Sequence, residues 1–156
     1  DSRLPGAVGA ALVDDRVAVG LIADGIHTHP SALALTARAK GPDKIALVSD
    51  MMAAAGMHPG AYSLNDIPVE VDATSARLAD GRLAGSILTM DAAVRNMTAW
   101  GRVTVAEALT MATETPARLL GLTDLGTLTP GHAADLVVLT PDLHVIETWI
   151  AGAQVR

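Results

Sequence analysis

The 156-residue sequence contains no cysteine and no phenylalanine, and only one tyrosine and two tryptophans. Without cysteine there can be no disulfide scaffold, thiolate zinc site, iron–sulfur cluster or cysteine nucleophile, and nothing points to an oxidising compartment. The cytoplasm is therefore the expected location. With so few aromatic residues, any core must be built from Ala, Leu, Val, Ile and Met. Positive charge is also scarce. Eleven Lys and Arg stand against seventeen Asp and Glu, a formal charge of −6, and this excludes the basic face that a nucleic acid or an anionic membrane surface requires. Long apolar runs are missing as well: Asp, Arg or Gly interrupts each one well short of the about 20 residues of a membrane helix, and no signal peptide is read. What is abundant is hydrophobic residue of ordinary size, 50% of the chain, enough for one domain with a real core.

Two stretches read as buried parallel strands, Val17 to Ala23 and Ile45 to Val48, because both are apolar without alternation. Between them Ser31 is the expected cap of an Ala- and Leu-rich helix ending at Lys40-Gly41-Pro42, where a basic residue, glycine and proline follow in order. From Tyr62 to Leu83 short β-like runs and an Asp80-Gly81 turn signal predict an inserted hairpin. Met90, Ala93, Val94, Met97 and Trp100 fall at helical spacing behind Thr89 and read as core. Thr104 and Glu107 form a capping box for the next helix, and Thr115-Pro116 begins a short third one. The tail from Gly126 reads as β hairpins, with strands over Leu136 to Leu139 and Val145 to Ile150.

Two βα units are too few for a sheet, and a full (β/α)₈ barrel takes about 250 residues. Each predicted strand nevertheless ends in a polar cluster. Asp50 closes the second where sheets and barrels of this type place catalytic groups, with a helix or turn cap as the alternative. Asp24 closes the first, and its neighbour Gly25 leaves an Asp-Gly turn open as the alternative. His27 and His29 form an H-x-H pair whose side chains in extended chain would point the same way, the spacing of a two-imidazole metal grip. The rest of the histidines, His58, His132 and His144, sit beside turn residues and read as surface. No Walker loop, dinucleotide fingerprint or nucleophile elbow is present.

Several motifs occur together: Arg3-Leu4-Pro5-Gly6, Ala23-Asp24-Gly25-Ile26-His27, Leu47-Val48-Ser49-Asp50, Leu83-Ala84-Gly85-Ser86-Ile87-Leu88-Thr89-Met90, Asn96, Thr115-Pro116-Ala117-Arg118, and a tail running from Gly126 to Val138. In this order the chain resembles the N-acetylglucosamine-6-phosphate deacetylases of the amidohydrolase superfamily over nearly its whole length. The resemblance implies an α/β fold: the C-terminal part of a (β/α)₈ TIM barrel over residues 1–122, holding its seventh and eighth strands and the inserted hairpin 62–83, then strands of a small β-sandwich over 123–156. It implies a hydrolase that removes acetate from N-acetylglucosamine 6-phosphate in amino-sugar catabolism. A divalent ion, zinc or similar, would acidify water and polarise the acetyl carbonyl. Asp50 would act as general base and then general acid.

By the same resemblance Arg3, Asp24, Gly25, Ile26, His27, Leu83, Ala84 and Gly85 contact the substrate, Arg3 by reaching across a homodimer interface to the phosphate. His27 is then a substrate contact rather than a metal ligand. The family's main ligands, a Glu and two His, are expected upstream of Asp1, so the 156-residue chain alone is expected to be inactive. Two alternatives remain. Another amidohydrolase, of cyclic-amidase type, would share the tail and the strand-end Asp but have no reason to keep Arg3 and His27. The other is that the chain, without the metal ligands, is a non-catalytic sugar-phosphate binder or a partner-dependent subunit; an intact mass well above 16.0 kDa would exclude it.

Overall fold

The computed structural model describes residues 3–155; residues 1, 2 and 156, at the outer ends of the two expected domains, lie outside it. The elements in order are α1 (Gly6–Val13), β1 (Val19–Leu21), α2 (Pro30–Lys40), a 3₁₀ turn at Pro42–Lys44, β2 (Ile45–Leu47), β3 (Gly60–Leu64), β4 (Ile67–Val71), β5 (Ala76–Leu78), α3 (Met90–Trp100), α4 (Val105–Ala112), α5 (Glu114–Leu119), β6 (Leu136–Leu139), β7 (Val145–Ile150) and β8 (Ala153–Gln154).

β1 and β2 pair in parallel, Val19 with Ile45 through Leu21 with Leu47, with α2 as the crossover. Both strands are shorter than their apolar runs predict. Among the described residues they pair only with each other, so neither has a second strand to extend its pairing, and Val17 and Val48 are left exposed. Leu21, Ile45 and Leu47 face a core completed by Leu33 and Ala37 of α2, Val94 and Met97 of α3, and Ala108 and Met111 of α4. Leu33, Ile45, Met97 and Met111 are almost wholly enclosed, each worth about 1.5–3 kcal/mol of burial. This is the aliphatic and methionine core that the shortage of aromatics requires.

Helix boundaries follow local chemistry with two corrections. The capping box of α4 is complete: Glu107 N donates to Thr104 Oγ1 at 3.2 Å and Thr104 N donates to Glu107 Oε2 at 2.7 Å. α2, however, is capped by His29 rather than Ser31. Pro30 occupies the first helical position, which moves the start forward, and His29 Nδ1 accepts from Ser31 N at 3.2 Å. Trp100 is not core either. It ends α3 at 37% exposure, because its ring lies against Gly25, in the loop beyond β1, rather than inside the core. α1 has no sequence signature. Its Gly, Ala, Val and Leu carry no polar alternation, and it is tied to the end of α2 by Lys40 Nζ donating to Asp14 O at 2.7 Å.

The expected insertion is an antiparallel meander of β3, β4 and β5. Its first turn is Asn65-Asp66, both residues at positive φ (50° and 66°), the primed geometry of a two-residue hairpin. Pro68 is tolerated in the middle strand because β5 pairs only with Val69 to Val71 and asks nothing of it. Val69, Val71 and Ala76 bury against Met52, Ala54 and Ala84 in a second small core. The tail forms one antiparallel layer, β6–β7–β8, as its hairpin pattern predicts. Apolar residues on it stay open, Val137 at 55% and Ile150 at 56%, and a second sandwich layer is not among the described residues.

Candidate active site

Parallel register decides where the polar groups gather. Leu21 pairs with Leu47, and three residues beyond each stand Asp24 and Asp50, so both carboxylates leave the sheet at its C-terminal end.

The first cluster is self-satisfied. Asp24 Oδ1 accepts from the amides of Ile26 (2.9 Å) and His27 (2.8 Å), and Oδ2 lies 2.6 Å from His27 Nδ1. Desolvation by burial pushes the Asp24 carboxyl up, but the hydrogen bonds from the His27 ring and the two amides together outweigh it and hold the group below the ordinary carboxylate value. An ionised carboxylate can only accept, so the ring proton sits on Nδ1 and His27 Nε2 is left for another partner. α3 holds this loop from behind. Asn96 Nδ2 donates to Ala23 O at 2.8 Å, and one turn later the Trp100 ring covers Gly25, whose φ is +77° and where an added Cβ would come within 3.0 Å of the ring. The Asp-Gly turn and the substrate-loop reading of Asp24 are thus compatible: the carboxylate that shapes the turn also orients His27.

The H-x-H pair does not act as one. His27 Nδ1 faces Asp24 while His29 Nδ1 caps α2. Among the described residues there is no group of three or more His, Cys, Asp or Glu side chains placed to hold a metal ion. Of the histidines read as surface, His58 and His144 are exposed, whereas His132 is partly buried with Nδ1 2.9 Å from Thr127 Oγ1.

The second cluster is open. Asp50 is exposed, its backbone is left-handed at φ 49°, and its carboxylate has no hydrogen-bond partner among the described residues. The Leu83-Ala84-Gly85 segment is brought against it. Ser86 N donates to Asp50 O at 2.7 Å, and Met52 N donates to Ser86 O at 2.9 Å. Gly85, at φ +77°, is required by this approach, because a Cβ there would sit 3.1 Å from Asp50 O. Arg3 is exposed ahead of α1, so its place depends on the packing of α1 against α2 rather than on the strand ends. Reasoning from sequence missed the supporting role of Asn96 and Trp100. Their i, i+4 spacing was visible, but the strand end they grip lies far away in the chain.

A parallel βα pair with carboxylates at its C-terminal end is an arrangement of barrel hydrolases, and the chain belongs to the amidohydrolase family, whose sequence profile matches residues 6–155. Within it, a relative from Escherichia coli O157:H7 named as an N-acetylgalactosamine-6-phosphate deacetylase is 48% identical over 151 residues, 96% of this chain and 40% of that one. A shorter E. coli K12 relative, provisionally named for the same activity, is also 48% identical, over 90% of its length. The N-acetylglucosamine-6-phosphate deacetylase of Lysinibacillus sphaericus is 43% identical over 150 residues, 96% of this chain and 39% of that one. Among solved structures, the N-acetylglucosamine-6-phosphate deacetylase of Thermotoga maritima superposes with a TM-score of 0.93 at 36% identity, covering 100% of this chain and 43% of that one. Apart from the K12 relative, the chain spans about 40% of the length of these proteins.

The superposition makes β1 and β2, with their helices, a portion of a TIM barrel of amidohydrolase type.

Proposed function

We propose that this chain supplies the C-terminal portion of an N-acetylglucosamine-6-phosphate deacetylase, a hydrolase of amino-sugar metabolism, with Asp50 as its general base and general acid. The observation that carries the reading is the contrast at the strand ends: Asp24 is consumed by its own loop, whereas Asp50 presents an unengaged carboxylate beside Leu83-Ala84-Gly85. Asp50 takes a proton from the attacking water as its oxygen adds to the acetyl carbon, and passes that proton to the amine nitrogen as the C–N bond breaks. Acetate and the amino-sugar phosphate are the products. One carboxylate serves both steps because it is ionised before the first and protonated before the second.

Asp24, Gly25, Ile26 and His27 contact the sugar phosphate, His27 through Nε2. Leu83, Ala84 and Gly85 close over the sugar, and Arg3 reaches the phosphate of a partner subunit in a homodimer with its planar guanidinium. The family works with divalent metal. The described residues do not by themselves make a site for it. Residues 1–122 are the barrel portion and 123–156 one layer of a sandwich whose other layer comes from elsewhere in the enzyme. No helix among the described residues is long and apolar enough to cross a membrane.

The galactosamine epimer is a second reading of the substrate, favoured by the 48% identity to deacetylases named for it against 43% for the glucosamine enzyme of L. sphaericus. The test is acetate release by the whole polypeptide that carries this sequence, supplied with a divalent metal and each of the two N-acetylhexosamine 6-phosphates. Turnover of the glucosamine sugar is expected. Faster turnover of the galactosamine sugar would reverse the choice of epimer, and turnover of neither would overturn the deacetylase reading.

A further inference from the structure

We propose that Ser86 is a positioning residue that sets the Asp50 carboxylate and locks it to the Leu83-Ala84-Gly85 segment, an inference that rests on the reading of Asp50 as the general base.

A left-handed residue other than glycine persists only when its surroundings hold it, and Asp50 is such a residue at φ 49°. Ser86 holds it from a distant part of the chain, beside the local Ser49 hydroxyl that accepts from Met51 N at 3.3 Å. The amide of Ser86 donates to Asp50 O at 2.7 Å, and its carbonyl accepts from Met52 N at 2.9 Å, so the chain is gripped on both sides of Met51, the residue that follows Asp50. Its hydroxyl donates to Ser49 O, the carbonyl just before Asp50, and accepts from Leu88 N at 3.0 Å. Ser86 is only 2% exposed, so water cannot readily replace a bond that is lost.

The two sets of bonds differ in what they need from the sequence. Any residue could provide the main-chain pair, and Gly85 permits the close approach. Only a small side chain that both donates and accepts can link Ser49 O to Leu88 N. Through these bonds the general base and the segment that closes over the sugar form one unit, so a movement of Leu83-Ala84-Gly85 carries Asp50 with it.

The experiment compares Ser86→Ala with wild type and with Ser75→Ala in the whole metal-loaded polypeptide. Ser75 is equally enclosed, at 4% exposure, but hydrogen-bonds within the Asp72 turn and to Arg77, so its loss reports general destabilisation. Ser86→Ala is expected to lower kcat roughly 10- to 100-fold, the effect of misplacing a reacting group by about 1 Å, with KM changed less than about threefold. Amide exchange at Met52 and Leu88 should accelerate, and a crystal structure of the variant should show Asp50 leaving φ near +50°. Ser75→Ala should leave kcat and Asp50 unchanged. A Ser86→Ala enzyme with wild-type kcat and Asp50 still left-handed overturns the proposal, as does an equal loss of kcat in Ser75→Ala. If wild type itself releases no acetate, the deacetylase reading fails, while amide exchange and the Asp50 backbone still decide whether Ser86 holds this residue.

Discussion

Asp24 and Asp50 stand three residues beyond paired positions of neighbouring strands, yet their surroundings treat them in opposite ways. Asp24 keeps its side chain at 10% exposure, accepts from two amides and pairs with His27; its backbone needs no outside support beyond Asn96 and Trp100. Asp50 shows the reverse, with the backbone clamped by Ser86 and the carboxylate left open. Equivalent positions in a sheet therefore do not make equivalent groups. A carboxylate that satisfies its own loop orients a neighbour, whereas one whose main chain is held by another segment keeps its oxygens open.

The sharpest way to break this contrast is to remove proton transfer at one end only. Asp50→Asn keeps the shape but cannot accept a proton. In the whole metal-loaded enzyme kcat should fall by about 10²–10⁴-fold, with binding of a substrate analogue little changed; a kcat within tenfold of wild type at full metal occupancy would remove Asp50 from the chemistry.

A second comparison sets Gly85→Ala against Gly25→Ala. Both residues have φ +77° and both substitutions incur backbone strain of about 1–3 kcal/mol. They differ in what the new methyl meets. At Gly85 it is the carbonyl of Asp50 at 3.1 Å, which cannot yield without moving Asp50; at Gly25 it is the Trp100 ring at 3.0 Å, on a residue 37% exposed whose side chain has solvent to turn into. Thermal melting should show similar losses, while Gly85→Ala should lose most of its kcat and Gly25→Ala, in the loop read as contacting the sugar phosphate, should raise KM with kcat less affected. The contrast would collapse if both variants lost activity equally.

The smallest effect lies in the titration of the satisfied carboxylate. With its folded pKa below the ordinary value, Asp24 binds fewer protons in the folded state than unfolded. Its contribution to stability is complete above the unfolded value of about 3.9 and is lost as pH falls from there through the folded pKa. Asp72 serves as a reference: hydrogen bonds from the Thr74 hydroxyl and from the amides of Thr74 and Ser75 hold it at about 2, so its loss runs from about 4 down to about 2. Carboxyl carbon resonances followed with pH should place both midpoints below the ordinary range. An Asp24 midpoint at or above that range would show that its desolvation outweighs the hydrogen bonds.

The elements legible from sequence are those governed by neighbours along the chain. The Thr104–Glu107 box, the Leu136 to Leu139 and Val145 to Ile150 strands and the positions of Asp24 and Asp50 after apolar runs all follow from spacing of a few residues. The failures have the same origin. Ser31 was a sound cap by type, but Pro30 one residue earlier made His29 the better placed. Trp100 continues the helical stripe in phase, yet its ring meets Gly25 in the loop beyond β1 and stays partly exposed. Asn65-Asp66 passed unread because neither residue is the glycine that usually marks a primed turn.

Sequence alone determined that this chain has an aliphatic core, two parallel strands ending in acids and a β tail, because hydrophobic period and capping chemistry act within one or two turns. Tertiary structure alone decided which acid is spent and which is free. Ser86 grips Ser49 from 37 residues away, and Asn96 grips Ala23 from 73. Such contacts exist only once β1 and β2 have paired and brought the later segments against their ends, and no local pattern can express where a carbonyl folded from a distant part of the chain will come to rest.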